Sequence, residues 1–515
     1  MSATQQPTAN TRIAKNTAML YVRMLFLTCI SLYTVRITLQ VLGAMDYGIY
    51  NVVANVIASL NFLVATMSSA TQRFLSFHLG KGDIKSYNRA FSLLVWGFIS
   101  LAVLIVIVGE AIGPWFVNDI LVIPPDKLRA AGIVYQFTII TFVSSVMMVP
   151  YHAEIVANEK MGVYAYFSIA DGLMRLGVVL LLQVVLSDKL VLYGGLLAIQ
   201  GWVMWSIYFI YCKVKFPFCK VSFVRDKALA KELGSYTGWN LFGTISGMLT
   251  VQGQSVLLNM FFGPLVNTAK AIGDKVYTTV VNFSVNFFMA VSPQIVKAYA
   301  AGEMERMLNL GVKSSKISFF LLAVLSFPLL CVMPGILGLW LGKSEVSTEM
   351  IMFARLLLCY SLVVALEPPV TQMIRATGKI KNYQLKVGLW TLSYIPVAAL
   401  VLWLGAPPSS SVVTLIALYL WVMVVRVRIA HRLVGLSYGM YWREVVLPII
   451  KVSAILGAAY VGVSRLSLPG GILWLCLQLM AALLVSCGVT WVFGLSRTDR
   501  SFVIGIIRKR ILHKD

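Results

Sequence analysis

Six polar side chains lie at helical spacing within an otherwise apolar stretch, residues 267–293. In order they are Asn267, Lys270, Asp274, Thr278, Asn282 and Asn286. Successive members are three or four positions apart, so they share one side of an α-helix. An ionisable side chain in hydrocarbon costs about 3 kcal/mol or more, and this polar side must therefore face protein or water. Its lysine and carboxylate are groups that could bind an anion or a coupling ion.

A second row of polar residues begins about 220 positions earlier, on a helix predicted over residues 47–72. Its members are Tyr47, Asn51, Asn55, Ser59, Thr66, Ser69 and Arg73. Two such rows favour one aqueous cavity lined from two sides. The alternative is that the amides and hydroxyls only join helices, for roughly 0.6 kcal/mol each. The charged members of the rows favour the cavity.

The charged residues at membrane depth are mostly basic. They are Arg23, Arg36, Arg73, Arg175, Lys270, Lys275 and Arg355, with Lys451 near the start of a later span. The acids are Asp171, Asp274, Glu154 and Glu367. This balance suits an anionic head group, because guanidinium pairs bidentately with phosphate. The expected substrate contacts are Arg23, Lys270, Lys275, Arg355, Arg36, Arg73, Asn51, Asn55, Asn282 and Asn286.

Several of these charges also have structural explanations. Arg23 and Arg36 could extend to opposite membrane faces, as long basic side chains do. Arg73 and Glu154, near the predicted cytoplasmic helix ends, are either gate ion pairs or simple anchors.

Two acids could couple transport to an ion, or could instead be neutralised by a neighbour. Asp274 and Asp171 are the candidates for exchanging a proton or holding a cation. Asp171 is one helical turn from Arg175 and could simply pair with it. Asp274 could likewise pair with Lys270, which would leave Lys275 free.

The composition is that of an integral membrane protein. Of 515 residues, 59% are hydrophobic and only 12% are charged, against about 25% charged in soluble chains. Apolar runs of about 20 residues exclude the short alternating strands of a β-barrel. The net charge of +23 comes largely from short basic connectors, which orient spans rather than bind nucleic acid. Seven scattered cysteines without a CxxC pair predict neither a disulfide framework nor a metal site, and we expect no removable signal peptide.

The predicted fold is an all-α polytopic membrane protein with 14 transmembrane helices. The spans are 17–41, 47–72, 90–112, 129–154, 163–186, 190–212, 234–262, 267–293, 316–337, 350–374, 384–405, 411–430, 445–464 and 472–494. Residues 1–212 form an N-terminal six-helix bundle, 213–233 a cytoplasmic linker, and 234–435 a C-terminal six-helix bundle. Residues 436–515 hold helices 13 and 14 and a basic tail. The excess of basic residues in alternate connectors places both termini in the cytoplasm.

An internal repeat is visible in the sequence. Leu42-Gly43 recurs as Phe262-Gly263, and Gly82-Asp83 as Gly302-Glu303, both 220 positions later. Pro150 recurs as Pro369 at an offset of 219. Six spans per half give both halves the same orientation, as in parallel-repeat transporters. The expected substrate site lies between the halves near mid-membrane, where rocking of two bundles would give alternating access.

The chain resembles the multidrug/oligosaccharidyl-lipid/polysaccharide exporter superfamily, and within it the bacterial O-antigen and capsular oligosaccharide flippases. The resemblance covers essentially the whole chain. It rests on the span plan and on four segments: LGAMDYGIYNVV (42–53), TQRFLSFHLGKGD (71–83), EIVANEKMGVYAY (154–166) and IRATGKIKNYQL (374–385).

The resemblance implies translocation of an undecaprenyl-diphosphate-linked oligosaccharide across the bacterial inner membrane for polysaccharide biosynthesis. It implies a cationic central cavity, coupling to H⁺ or Na⁺ rather than ATP, and a lipid-tail groove at the last two spans. The implied partners are the lipid-linked substrate, membrane lipids, and polysaccharide polymerase and chain-length machinery.

The sequence lacks the signatures of other functions. There is no G-x-x-x-x-G-K-[ST] loop for nucleotide binding, the four histidines are dispersed, and neither an enzyme nor a cofactor is expected. Two rival functions remain. A multidrug/cation antiporter of the same superfamily would need a less basic interior, and a membrane sugar polymerase or ligase usually carries a large outer loop.

Overall fold

The computed structural model describes residues 9–58, 60–115, 124–184, 188–217, 221–341, 346–464, 471–496 and 500. Within these ranges the structure is helical. The first seven helices are α1 (Ala9–Ala58), α2 (Asn61–Lys81), α3 (Ile84–Trp115), α4 (Leu128–Ala157), α5 (Met161–Val184), α6 (Lys189–Lys215) and α7 (Lys227–Phe262). The next seven are α8 (Pro264–Ala300), α9 (Met304–Leu341), α10 (Thr348–Val364), α11 (Glu367–Ala376), α12 (Lys381–Leu392), α13 (Tyr394–Trp403) and α14 (Ser410–Val434). The chain ends with α15 (Tyr438–Tyr441), α16 (Leu447–Ser464) and α17 (Ile472–Val489).

Twelve stretches of the described chain are long and apolar enough to cross a membrane, beginning with α3. The prediction of fourteen differs at its first two spans, which fall in α1 and α2. There only a shorter apolar helix, Asn16–Ser31, is found. Several side chains of α1 between residues 32 and 58 lie outside the described part of the structure, so the two N-terminal spans stay a prediction.

The second predicted polar row does not lie on one helix. Residues 47–58 belong to α1, Leu60 is in a turn, and α2 starts at Asn61. Thr66, Ser69 and Arg73 therefore occupy a different helix from Tyr47, and helical spacing across the break carries no meaning. Residue 59 lies outside the described part.

The first compact unit, Arg12–Leu241, contains α1 to α6 and the start of α7. In it α4 packs against α2, α3 and α6. Its largest cluster of buried apolar side chains includes Val53, Phe98, Val134, Val146 and Leu190. The predicted linker 213–233 is partly helical, because α6 continues to Lys215 and α7 begins at Lys227.

The second unit includes the chain from Phe242 onward. Here α8 packs against α9, α10 and α11, while α16 and α17 pack against α9. One core cluster joins α7, α10, α13 and α14 through Leu258, Phe353, Tyr394 and Val412. Another joins α9 to the two C-terminal helices through Phe320, Phe327, Val452, Leu456 and Ala482.

The backbone reproduces the internal repeat. Gly43 and Gly263 have nearly the same dihedral angles, φ 77°, ψ 166° and φ 78°, ψ −174°. Gly82 and Gly302, both left-handed with φ 69° and 80°, end α2 and α8. In each case the following amide closes the helix by bonding a carbonyl five residues back, Asp83 to His78 and Glu303 to Ala298.

The third repeated site differs in residue type. Glu159 follows α4 with φ 59°, and Gly378 follows α11 with φ 77°, again 219 positions apart. Among the described residues, Glu159 is the one non-glycine residue that has a positive φ. The backbone therefore bends in the same way at both sites, although only one carries the residue that tolerates the bend without strain.

Prolines interrupt two helices of the second unit. Pro368 and Pro369 follow the turn at Ala365 and Leu366 that separates α10 from α11. Pro334 lies within α9, where Val332 departs from helical geometry (φ −111°, ψ 17°). A proline cannot donate to the carbonyl four residues before it, so each break frees backbone oxygens for other partners.

Candidate functional site

In the first unit, Arg23 of α1 lies against two residues of α5. Its guanidinium donates to the Tyr164 hydroxyl at 2.7 Å and to Ser168 Oγ at 3.2 Å. The guanidinium carbon is also 4.6 Å from the centre of the Tyr164 ring. The His152 ring lies 4.6 Å from that ring on another side. Arg23 thus sits in a polar and aromatic environment contributed by α4 and α5, and sequence reasoning had left His152 without a role.

Asp171 lies two turns beyond Tyr164 on α5. It pairs with Arg175 at 3.2 Å and accepts a hydrogen bond from the Gln200 amide of α6. The i, i+4 pairing considered from the sequence is therefore present. An acid held by both an arginine and an amide is a poor site for an additional cation.

Arg73 is buried at the cytoplasmic-facing end predicted for α2. Its guanidinium lies 4.4 to 5.2 Å from the rings of Phe74, Phe77 and Tyr236, and 3.6 Å from Glu232. Three aromatic faces around one guanidinium stabilise its charge by cation–π interaction. Glu154, the other residue considered as a gate partner, is fully buried in α4.

In the second unit, the polar row of residues 267–293 lies on a single helix, α8, as predicted. Lys270 is buried, with 2% exposure, and its ammonium lies 2.7 Å from Asp274 and 3.3 Å from Ser255 Oγ of α7. Lys275 is exposed, and no carboxylate of the described residues lies within ion-pair distance of it. The second alternative from the sequence, with Lys270 neutralised and Lys275 available, is the arrangement observed.

The amides of the α8 row divide between two environments. Asn282 is exposed, whereas Asn286 is 7% exposed and donates to the Asn282 carbonyl. Of the remaining predicted contacts, the side chains of Arg36, Asn51, Asn55 and Asn267 lie outside the described part of the structure.

Sequence reasoning missed Arg426 of α14. Its guanidinium donates to Glu367 at 2.7 Å and to the Tyr383 hydroxyl at 3.4 Å, with only 4% exposure. Tyr383 also shares a 3.0 Å hydrogen bond with Thr371. Tyr383 is the repeat partner of Tyr164, so each unit places an arginine on the equivalent tyrosine. The repeat did not identify Arg426, because it relates the two tyrosines but not Arg23 on α1 and Arg426 on α14.

Arg355 of α10 has a different environment. Its Nε donates to the Leu330 carbonyl at 3.3 Å, and its guanidinium faces the ring of Tyr460 at 5.9 Å. It lines a cavity of about 290 Å³ that is bounded by α9, α10 and α16. Apart from two serines and Tyr460, the other lining side chains are apolar.

The intramembrane charges therefore form a simple pattern. Asp171, Asp274 and Glu367 each lie within 3.2 Å of a basic nitrogen. Lys275 and Arg355 have no such partner among the described residues. The surplus charge is positive, and a site with that balance attracts anions.

No family model matches this sequence. The membrane protein EpsK of Bacillus subtilis (strain 168) is 22% identical over 336 residues, which are 63% of this chain and 64% of EpsK. The aligned region thus covers less than two thirds of either protein.

Solved structures match over most of the chain. An outward-facing multidrug resistance MATE family transporter of the MOP superfamily gives a TM-score of 0.71 at 11% identity, covering 84% of this chain and 97% of its own. A MOP superfamily transporter from Pyrococcus furiosus, described as having a binding pocket of reversed polarity, gives 0.71 at 11% identity, with 84% and 99% covered. MATE in complex with MaD3S gives 0.70 at 12% identity, with 82% and 97% covered.

At 11% to 12% identity, these similarities concern the fold. They also agree with the predicted multi-pass membrane architecture. The chain has the all-helical fold of the MATE transporters of the MOP superfamily.

Proposed function

We propose that this protein translocates an undecaprenyl-diphosphate-linked oligosaccharide across the bacterial inner membrane, for O-antigen or capsular polysaccharide synthesis. The observation that carries the proposal is the charge balance at membrane depth. Three carboxylates are neutralised by basic partners, whereas Lys275 remains exposed without one among the described residues. A diphosphate head group supplies the missing negative charge.

Arg23, within the first unit, and Lys275, within the second, are each a proposed contact for phosphate. Arg23 is oriented by the Tyr164 hydroxyl and Ser168, so its guanidinium is held in a fixed position on α1. Lys275, Thr278 and Asn282 form an exposed polar surface on α8. Such groups are costly in hydrocarbon, which supports a water-filled path along this side of α8, where hydroxyl and amide groups could bind sugar hydroxyls.

The second part of the proposal is coupling of transport to an ion gradient. Asp274 is the better candidate of the two acids, because its side chain is 38% exposed while it pairs with Lys270. Asp171 is held by two partners and is the weaker candidate.

The decisive experiment is transport by the purified full chain in liposomes. With the wild-type protein, fluorescent undecaprenyl-diphosphate-linked glycans placed in one leaflet should move to the other. Imposed pH or Na⁺ gradients should identify the coupling ion. Undecaprenyl phosphate without sugar and a zwitterionic fluorescent phospholipid are the substrate controls. Equal movement of all three lipids would contradict a specific flippase.

A multidrug/cation antiporter is the second candidate, favoured by the fold shared with a multidrug resistance transporter. A deletion strain distinguishes the two. Loss of surface polysaccharide without drug sensitivity supports the flippase. Intact polysaccharide with increased sensitivity to cationic drugs would support the antiporter.

A further inference from the structure

Within the described part of the structure, Arg355 uses one of its five N–H groups. Among the described residues its hydrogen bond is the one from Nε to the Leu330 carbonyl, at 3.3 Å. That carbonyl is available because Pro334, four residues later, has no N–H to donate to it. The proline thus provides the acceptor that holds Nε of Arg355. The four terminal N–H groups of the guanidinium are not used in this bond.

The charge of Arg355 is not balanced by the described protein. No carboxylate of the described residues lies within ion-pair distance, and the aromatic face of Tyr460 at 5.9 Å is at the limit of a cation–π contact. An arginine without a counter-ion is costly in a membrane-spanning helix. The arrangement therefore calls for an anion from outside the chain.

The surrounding cavity indicates what kind of anion. It has a volume of about 290 Å³ and is lined mainly by apolar side chains such as Phe327 and Leu456. Its lining residues Met352 and Cys359 are exposed at the surface of α10, so the cavity is open at that surface. One cation within an apolar, open cavity suits one phosphate attached to a hydrocarbon chain.

We propose that this Arg355 cavity binds one anionic bilayer phospholipid, with the phosphate on Arg355 and the start of an acyl chain along Phe327 and Leu456. A single cation matches one phosphodiester better than a diphosphate. The lining also lacks the amide and carboxylate groups that would bind sugar hydroxyls. The flipped substrate is therefore not the occupant.

The lipid would join α16 to α10. Tyr460 and Gly457 belong to α16, and Arg355 to α10. The two C-terminal spans are the least buried of the twelve, at 17% and 11% of their most apolar windows, against 22% to 61% elsewhere. A lipid wedged at this seam would stabilise an otherwise weakly packed pair of helices.

Thermal unfolding of the purified full chain in detergent tests the proposal. Dioleoyl phosphatidylglycerol should raise Tm by about 3 °C or more beyond the effect of dioleoyl phosphatidylcholine, which has the same chains. The difference should disappear in Arg355→Gln. It should persist in Arg428→Gln, which removes an arginine that lies 5.8 Å from the Trp421 ring but lines no part of the cavity.

A second pair of variants keeps Arg355 and fills the space instead. A Cβ at Gly457 meets nothing within 4 Å, so Gly457→Leu should fold and block the cavity. Gly462→Leu, equally open but outside the lining, is its control. Native mass spectrometry should show one phosphatidylglycerol fewer for Gly457→Leu than for Gly462→Leu.

Two results would overturn the proposal. Equal stabilisation by both phospholipids would remove the charge-specific site. Stronger stabilisation by undecaprenyl phosphate than by phosphatidylglycerol, lost in Gly457→Leu, would assign the cavity to a polyprenyl lipid instead.

Discussion

The ammonium group of Lys270 lies 2.7 Å from the carboxylate of Asp274, one turn further along α8. The two side chains differ in burial, at 3% and 38% exposure. Removing Asp274 leaves a buried ammonium group that water cannot reach, whereas removing Lys270 leaves a carboxylate that water can reach. The two removals should therefore destabilise the protein to different extents.

Asp274→Asn should destabilise the protein more than Lys270→Gln. The asparagine variant leaves a buried ammonium with only Ser255 as a described partner, whereas the glutamine variant leaves a carboxylate that water can reach. The double variant Lys270→Gln/Asp274→Asn should recover stability, with a coupling of about 1 kcal/mol, since partial exposure weakens the pair. Tm values of the four proteins in detergent measure this cycle, and additive losses would show that the pair is not coupled.

Lys275→Gln should abolish flipping while leaving the protein folded. The side chain is exposed and holds no described carboxylate, so its loss leaves nothing buried unpaired. We expect at least a tenfold lower rate with glycan-linked lipid in liposomes, and substantial recovery in Lys275→Arg.

Arg23→Ala should likewise cause a loss of surface glycan, while the amount of protein in the membrane stays unchanged. Full complementation by both neutral variants would contradict the proposed contacts, and Arg428→Gln is the control for general loss of positive charge.

Glu367→Gln should destabilise the second unit by about 3 kcal/mol, the scale for breaking a buried ion pair. It leaves Arg426 buried at 4% exposure with only the Tyr383 hydroxyl as its other described partner. Glu367→Gln combined with Arg426→Met should restore most of that loss, because neither charge remains. Denaturation of the single and double variants gives the comparison, and an equally unstable double variant would assign the effect to packing.

Glu159→Gly should stabilise the protein by about 1 kcal/mol, since a left-handed conformation costs a non-glycine residue roughly that amount. Gly302→Ala should destabilise it by a similar amount, because φ is 80° and the added Cβ meets no atom within 4 Å, so only strain acts. Opposite shifts in Tm are the expected outcome. A lower Tm for Glu159→Gly would mean that the contacts of the glutamate outweigh its backbone strain.

The turns and the α8 row were predictable because they depend on local sequence. Glycine at 43 and 263 predicts the same bend at both sites, and the spacing of Lys270 and Asp274 predicts their pairing on any helix. Arg426 was not predicted as a site residue, because nothing in its local sequence distinguishes it. Its partner Glu367 is 59 positions away, and only tertiary packing brings the two together.

The environments of Arg73 and Arg355 were beyond sequence reasoning for the same reason. Tyr236 and Glu232 reach Arg73 from α7, and Leu330 becomes an acceptor only because α9 bends at a proline. The two N-terminal spans stay a prediction, because several side chains of α1 lie outside the described part of the structure.

The paired prolines after α10 give this span a joint that bends without breaking hydrogen bonds. In a continuous helix, tilting one half against the other stretches several amide–carbonyl contacts, but Pro368 and Pro369 have no amide hydrogens to lose. Glu367 is at the first position of α11, directly before these prolines, and α11 itself packs against α8, α9 and α14. The carboxylate that pairs with Arg426 thus lies at this joint. A small tilt of α11 would lengthen or shorten the ion pair.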